Sequence, residues 1–372
     1  MNPKTKTLIL QVTLFLVTIV TTTLSGTEWI YGKSIVETPE SWVSWSKIID
    51  GLRYSLPFLA ILTIHELGHY FTARKHKVDV TLPYYIPFWF GLGLSIGTMG
   101  AFIKIKAQNL TNKQYFDIGI AGPIAGFVAA LAVLFYGFTN LPPIEYIFTI
   151  HPEYAKYGKD FAQHVYKDLN GAVYLGDNLL FRFFETYIAN PSLVPPKYEM
   201  MHYPFLFAGY LALFFTSLNL LPIGQLDGGH ILYGLVGHQW HFFISKIVFG
   251  LFLFYAGIGI VTPYMDYESL VFTMPLYAFF IFSTLKSAFH DVKTRWMVAV
   301  GIVSLQFLLS YLLPNIEGYH NWLVFGFVIG RFLGVEHPKT DLEHIDTKRK
   351  VLGWISLVIF ILCFSPQPFK II

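Results

Sequence analysis

The chain has 372 residues, of which 54% are apolar and only 13% are Asp, Glu, Lys or Arg, against about a quarter charged in an ordinary soluble domain. So little polar surface cannot coat a water-soluble globule of this size, and a formal net charge of +3 is too small to mark a polyanion-binding protein. A soluble enzyme and a nucleic-acid binder are excluded; an all-α polytopic membrane protein, with the lipid bilayer as its solvent, is expected.

Taken in chain order, apolar runs long enough to cross a bilayer, about 17–25 residues, lie at Thr7–Leu24, Leu52–Ala73, Phe116–Phe138, Pro204–Pro222, Phe242–Val261, Leu270–Ser287 and Trp296–Leu313. Two shorter ones follow at Trp322–Leu333 and Leu352–Phe364, which suit half-spans or tilted segments. About eight transmembrane helices are expected. The first run is preceded by Lys4 and Lys6 but is long and lacks a small-residue cleavage site, so it reads as an uncleaved anchor. Arg74, Lys75, Lys77, Lys104, Lys106, Lys113, Lys286, Lys293, Arg295, Arg331, Lys339, Lys348, Arg349 and Lys350 fall in turns that all lie on one side if the spans alternate. By the positive-inside rule that side, with the N-terminus, is cytoplasmic.

Two stretches are not hairpin turns. Val78–Lys113 leaves and returns to the same side, with Pro83, Pro87, Gly91, Gly93, Gly97 and Gly100 among apolar residues. It reads as a membrane-embedded β-hairpin or re-entrant segment, tolerated only against protein or a wet cavity. Residues 139–203 are mixed and Pro-punctuated and read as an external cap. The expected organisation is an anchor and external loop (1–51), a segment holding the second span, re-entrant piece and third span (52–138), the cap (139–203), a fourth span (204–236) and C-terminal helices (237–372).

The sharpest chemical signal is His65-Glu66-Leu67-Gly68-His69. On a helix, residues four apart share a face, so two imidazoles can ligate one zinc while the intervening carboxylate handles the proton of its water. A chance match in a chain this poor in His arises in about one sequence in a hundred. The setting adds weight, because Leu56–Ile64 is apolar nearly all round and ionisable groups inside such a helix are costly unless they serve function. With a single cysteine, Cys363, neither an intramolecular disulfide nor a Cys-based metal site is available, so the remaining ligands must be His or carboxylate. A catalytic zinc needs a third protein ligand. Asp227, just after the fourth span, is the best carboxylate; His230 competes with it. His151, His164, His202 and His290 lie in loops or at span ends and are expected to be solvated.

Unwound backbone in lipid leaves its amides unmet, and an exposed strand edge can accept them. Met99–Lys106 alternates as a strand does, with Phe102, Lys104 and Lys106 on one parity. Gly97, Gly100, Ala101, Phe102 and Ile103 are the expected substrate-binding positions, the glycines permitting close backbone approach. The same alternation suits a plain amphipathic strand or linker.

Together the apolar HELGH helix, Ala121–Phe127 (AGPIAGF) and Asn219–His230 (NLLPIGQLDGGH) resemble the site-2 protease family of intramembrane zinc metalloproteases. The resemblance covers about Leu52 to Val236. Glu336-His337-Pro338 and Gly353-Trp354 resemble its plant and cyanobacterial-type branch. The resemblance implies Zn2+ held by His65, His69 and Asp227, Glu66 as catalytic base, and Asn219 holding substrate or the developing oxyanion. It implies transmembrane protein substrates cut near the cytoplasmic end of a helix, and a multi-pass protein of a prokaryotic inner membrane. No stretch is long enough for the PDZ or nucleotide-sensing domains that some members carry. An ion-coupled transporter and a catalytically silent scaffold remain as alternatives; oligomeric state, trigger and substrate identity stay open.

Overall fold

The apolar runs fold as helices in the computed structural model, which describes residues 2–36, 43–93, 95–107, 109–167, 171 and 173–371. Residues 37–42 of the expected 1–51 segment, Leu94 and Gln108 of the 78–113 segment, and 168–170 and 172 of the expected cap lie outside the described residues. In order come α1 (Pro3–Tyr31), α2 (Trp45–Lys75), the strands β1 (Tyr84–Phe88) and β2 (Gly97–Phe102), and α3 (Asn112–Thr139). The 139–203 stretch holds α4 (Ile147–Ile150), α5 (Phe161–Val165), β3 (Val173–Leu175) and α6 (Leu179–Tyr187). Then follow α7 (Pro204–Asn219), α8 (Asp227–Gly257), α9 (Tyr267–Thr284), α10 (Val292–Leu312), α11 (Trp322–Val328) with a π-turn at Ile329–Leu333, α12 (Thr347–Cys363) and β4 (Phe369–Ile371).

Among the described residues six helices are long and apolar enough to cross a membrane: α1, α2, α3, α8, α9 and α10. Two shorter apolar helices, α7 and Trp322–Leu333, bring the apolar set to the expected eight. At 16 residues α7 is about 24 Å long, less than the roughly 30 Å of a hydrocarbon core. It is buried around its circumference, with Leu206, Phe207, Tyr210, Leu211, Leu213 and Leu218 all enclosed. A helix apolar on every side can be a core helix as readily as a lipid-facing one.

The chain divides into two compact units, 1–108 with 121–218 and 358–372, and 109–120 with 219–357. In the first, α1 and α2 meet along small residues. A Cβ on Gly26 would lie 2.7 Å from the Gly51 carbonyl, and one on Gly51 would lie 2.2 Å from the Thr23 carbonyl. Close backbone approach and polar bonds hold helices together where no hydrophobic drive exists between them. Thr22 Oγ1 meets Ser55 Oγ at 2.6 Å across this seam. The threonine-rich α1 stays helical because its hydroxyls bond back: Thr18, Thr22 and Thr23 each donate to the carbonyl four residues earlier, at 2.7–2.8 Å.

The 78–113 segment holds a β-hairpin. β1 pairs antiparallel with β2, Tyr84 opposite Phe102 and Tyr85 opposite Ala101, with a bulge before Pro87. Beyond residues 103–104 the pairing resumes at Val80 and Ile105. Helix side chains satisfy the irregular backbone, as such a segment needs. Gln11 donates to the Leu82 carbonyl at 2.6 Å, Thr21 to Gly97 at 2.7 Å, Trp29 Nε1 to Ser95 at 2.7 Å and Tyr54 to Ile96 at 2.9 Å. A second two-stranded sheet pairs β3 with β4, Tyr174 opposite Lys370.

In the second unit α8 is broken at Gly237, whose φ of 77° favours glycine, so a short helix carrying Asp227 precedes a longer apolar one. Gln306 on α10 donates to the Leu253 and Phe254 carbonyls of α8, at 3.2 and 2.8 Å. The C-terminal end of the 334–346 loop is tied down. Asn112 exchanges two hydrogen bonds with the Glu343 backbone, at 2.6 and 3.1 Å, and Arg349 forms a forked pair with Asp117 at 2.6 and 2.8 Å.

Candidate active site

The HELGH turn lies in the second half of α2, 31 residues and so about 46 Å long. His65, Glu66 and His69 are all buried. Helical spacing brings the imidazoles together edge to face, with ring planes 72° apart, and their Nε2 atoms lie 3.0 Å apart. Taken with one carboxylate oxygen of Glu66, the three donor atoms lie within 4.8 Å of one another.

This donor set fits a zinc ion. Two Zn–N bonds of about 2.0–2.1 Å at a tetrahedral angle separate the nitrogens by about 3.3 Å. The space around them is set by glycine. A Cβ on Gly122 of α3 would sit 2.1 Å from His69 Nε2, and one on Gly126 would sit 3.0 Å from the Cβ of His65. In the other direction, a Cβ on Gly68 would meet the Ala121 carbonyl at 2.6 Å. The AGPIAGF run therefore lets the backbone of α3 lie directly on the two imidazoles, fixing their rotamers. Gly122→Ala should displace His69 and weaken metal binding by at least about tenfold, as losing a supporting group does. Zinc content after dialysis against graded chelator checks this; wild-type retention would remove the role assigned to Gly122.

Asp227 and Asn219 belong to the second unit. Asn219 is the last residue of α7 and Asp227 the first of α8; both are half-buried. The seven residues between them form a tight turn against α8's first turn. A Cβ on Gly228 would lie 2.0 Å from the Leu220 carbonyl, and one on Gly229 2.2 Å from that of Gly224. Those contacts explain why two glycines must follow Asp227. Ser245 holds the turn, accepting from the Gly224 N–H at 2.9 Å and donating to the Val335 carbonyl at 2.7 Å.

His230, the competing ligand, is paired within its unit. His337 Nδ1 donates to the Pro338 carbonyl at 2.8 Å, so its Nε2 accepts from His230 Nδ1, also at 2.8 Å. Tyr115 stacks on His230 with ring centroids 4.9 Å apart. Burial pulls His337 down to about 4, which keeps it a neutral acceptor. His337 is thus the residue that orients His230. The sequence offered only the Glu336-His337-Pro338 resemblance as a pointer to it.

Of the expected substrate-binding positions, Gly97, Gly100, Ala101 and Phe102 lie in β2 and Ile103 follows it. Gly97 serves α1: a Cβ there would lie 2.3 Å from the Thr22 Cα. Gly100, with φ of 107°, has open space where its Cβ would be. Phe102 is exposed. His164 and His290 are exposed as expected, but His202 is buried and His151 only partly accessible, which corrects the expectation that all four are solvated. Their surroundings are polar and enclosed rather than aqueous, because the 139–203 stretch folds over the end of α1.

The family model described as peptidase family M50 matches residues 54–256. Among curated proteins, the chain is 29% identical over 216 residues to "Probable zinc metalloprotease EGY1, chloroplastic" of Arabidopsis thaliana, covering 58% of this chain and 34% of that protein. It is 30% identical over 185 residues to the protein of that name from Oryza sativa subsp. japonica, covering 48% and 27%. It is 26% identical over 202 residues to "Probable zinc metalloprotease EGY2, chloroplastic" of Oryza sativa subsp. indica, covering 54% and 32%. The aligned part spans about a third of the length of these relatives. No solved structure gives a significant match.

Proposed function

The chain belongs to peptidase family M50, and we propose that it is a zinc-dependent intramembrane protease that cuts a peptide bond within or near the cytoplasmic end of a substrate's transmembrane helix. The observation that carries the reading is the buried His65–Glu66–His69 turn, its nitrogens 3.0 Å apart, on a helix apolar enough to span a membrane. Buried groups of this kind are costly in lipid and persist where they hold a metal.

His65, His69 and Asp227 would hold the zinc. Zinc, when bound, acts as a Lewis acid on a peptide carbonyl and activates water near neutral pH. Glu66 takes the proton of the attacking water and gives it to the leaving amine as the C–N bond breaks. Asn219 donates a hydrogen bond to the developing oxyanion. The edge of β2, from Gly100 to Ile103, receives the unwound substrate as an added strand. In this reading the protein releases fragments of membrane proteins, as in regulated intramembrane proteolysis. It lies in a prokaryotic inner membrane, with its N-terminus and the Arg74–Lys77 turn cytoplasmic and 139–203 outside. The chloroplast address in the relatives' names is theirs.

The test is purified protein in detergent with a labelled single-span substrate. A cleaved fragment should appear, vanish with a zinc chelator and return with added zinc. Metal bound without any fragment across a panel of single-span substrates would favour the transporter or scaffold alternatives.

A further inference from the structure

Far along the chain from the HELGH turn, the 139–203 stretch brings together His151, which follows α4, with Glu199 and His202 just before α7. His151 Nε2 lies 3.5 Å from His202 Nε2 and 3.7 Å from Glu199 Oε2, and His202 Nε2 lies 3.5 Å from the same oxygen. We propose that these three side chains form a second metal site, a His-His-Glu cage for a zinc-like divalent cation that fastens this stretch to the end of α1.

The hydrogen bonds around the cluster fix what each atom can do. His202 Nδ1 lies 3.0 Å from the Trp29 carbonyl and 2.8 Å from that of Ile30. Carbonyls only accept, so Nδ1 carries the proton and Nε2 presents a lone pair. His151 Nδ1 lies 3.3 Å from Glu153 Oε1, which assigns its proton in the same way. Tyr166 donates to Glu199 Oε1 at 2.6 Å. The other oxygen, Glu199 Oε2, is buried with no hydrogen-bond partner, on a side chain only 3% exposed. In these tautomers three lone pairs face one another. Buried acceptors so arranged repel unless a cation sits among them.

The distances separate a metal from a proton. A charged imidazole or a neutral carboxyl bridging any two of these atoms would draw that pair to about 2.7–3.0 Å. Every pair here is at 3.5 Å or more. Ligands about 2.0–2.2 Å from a tetrahedral zinc stand about 3.3–3.5 Å apart. The supporting contacts, Nδ1–H to backbone carbonyl and to carboxylate, are those that orient metal-bound histidines. His151, with its side chain 24% exposed, leaves a route for the ion and for water as a fourth ligand.

The site takes the bare cation, so the probe is Zn2+ or Co2+ on intact, detergent-purified protein, with metal per chain counted after removal of loose ions. Wild type should hold one equivalent more than His151→Ala, and His65→Ala/His69→Ala should keep the equivalent that His151→Ala loses. Cobalt binding at this site should weaken by more than about a hundredfold in His151→Ala, beyond what losing a supporting group costs. Glu199→Gln, nearly isosteric, should do the same. Chelator should also speed trypsin cleavage at Lys156 and Lys159 in wild type and leave His151→Ala unaffected. Equal metal content in wild type, His151→Ala and Glu199→Gln, with trypsin rates indifferent to chelator, would overturn the proposal. Proteolytic activity does not enter these readouts, so they stand apart from the HELGH site.

Discussion

Glu66→Gln should leave the metal in place and lower kcat by about 10²–10⁴-fold, the range that a positioned general base supplies. Glutamine keeps the shape of the side chain and its burial beside His65 and His69, but it cannot take a proton. His65→Ala and His69→Ala should behave differently, losing zinc and turnover together, because each removes a ligand whose Nε2 stands 3.0 Å from its partner. Asp227→Ala should join that second class if it is the third ligand. Metal analysis beside a single-turnover assay separates the classes. An Asp227→Ala protein with full zinc and full turnover would free the third position for another residue.

Proline placed along the end of β2 should stop cleavage without removing zinc. Antiparallel partners alternate in direction, so of Ala101 and Phe102, opposite Tyr85 and Tyr84, one turns its N–H and carbonyl away from β1. That outward pair is where an unwound substrate would add as a strand. Gly100 has space for another backbone, whereas its own N–H is taken by Thr98 Oγ1 at 3.0 Å. The donors that matter therefore begin at Ala101. Proline at the outward-facing position removes a donor, and an unmet amide in lipid costs several kcal/mol, so the rate should fall by at least about a hundredfold. At the inward-facing position it breaks the hairpin instead, which a thermal melt would reveal. Unchanged rates with proline at 101, 102 and 103 in turn would remove the strand-edge idea and leave the zinc chemistry untouched.

What could be read from the sequence was whatever is local. His65, Glu66 and His69 announce themselves because helical spacing alone brings them to one face. The hairpin showed in its alternation and glycines, since strand parity is also a local property. The work of AGPIAGF was not legible in physical terms: that Gly122 and Gly126 yield space to two imidazoles on another helix depends on tertiary packing. α7 reads equally as a span or a core helix, because a helix apolar on all sides has the same composition in lipid as in a protein core. β3 and β4, three residues each and nearly two hundred residues apart, carry too little pattern to be found. Glu199 and His202 are three apart, but His151 reaches them only through the fold of the 139–203 stretch, so the cluster was missed and its histidines were expected in water.

The central claim is that Glu66 and its two histidines hydrolyse a peptide bond inside the membrane. Mass spectrometry of the fragments from a labelled single-span substrate tests it most directly, with wild type and Glu66→Gln run side by side. Two fragments should appear whose masses sum to the substrate plus one water, with the new ends inside the substrate's apolar segment and neither fragment from Glu66→Gln. Fragments with the same ends from both proteins, or a cut confined to the soluble flanks, would contradict it.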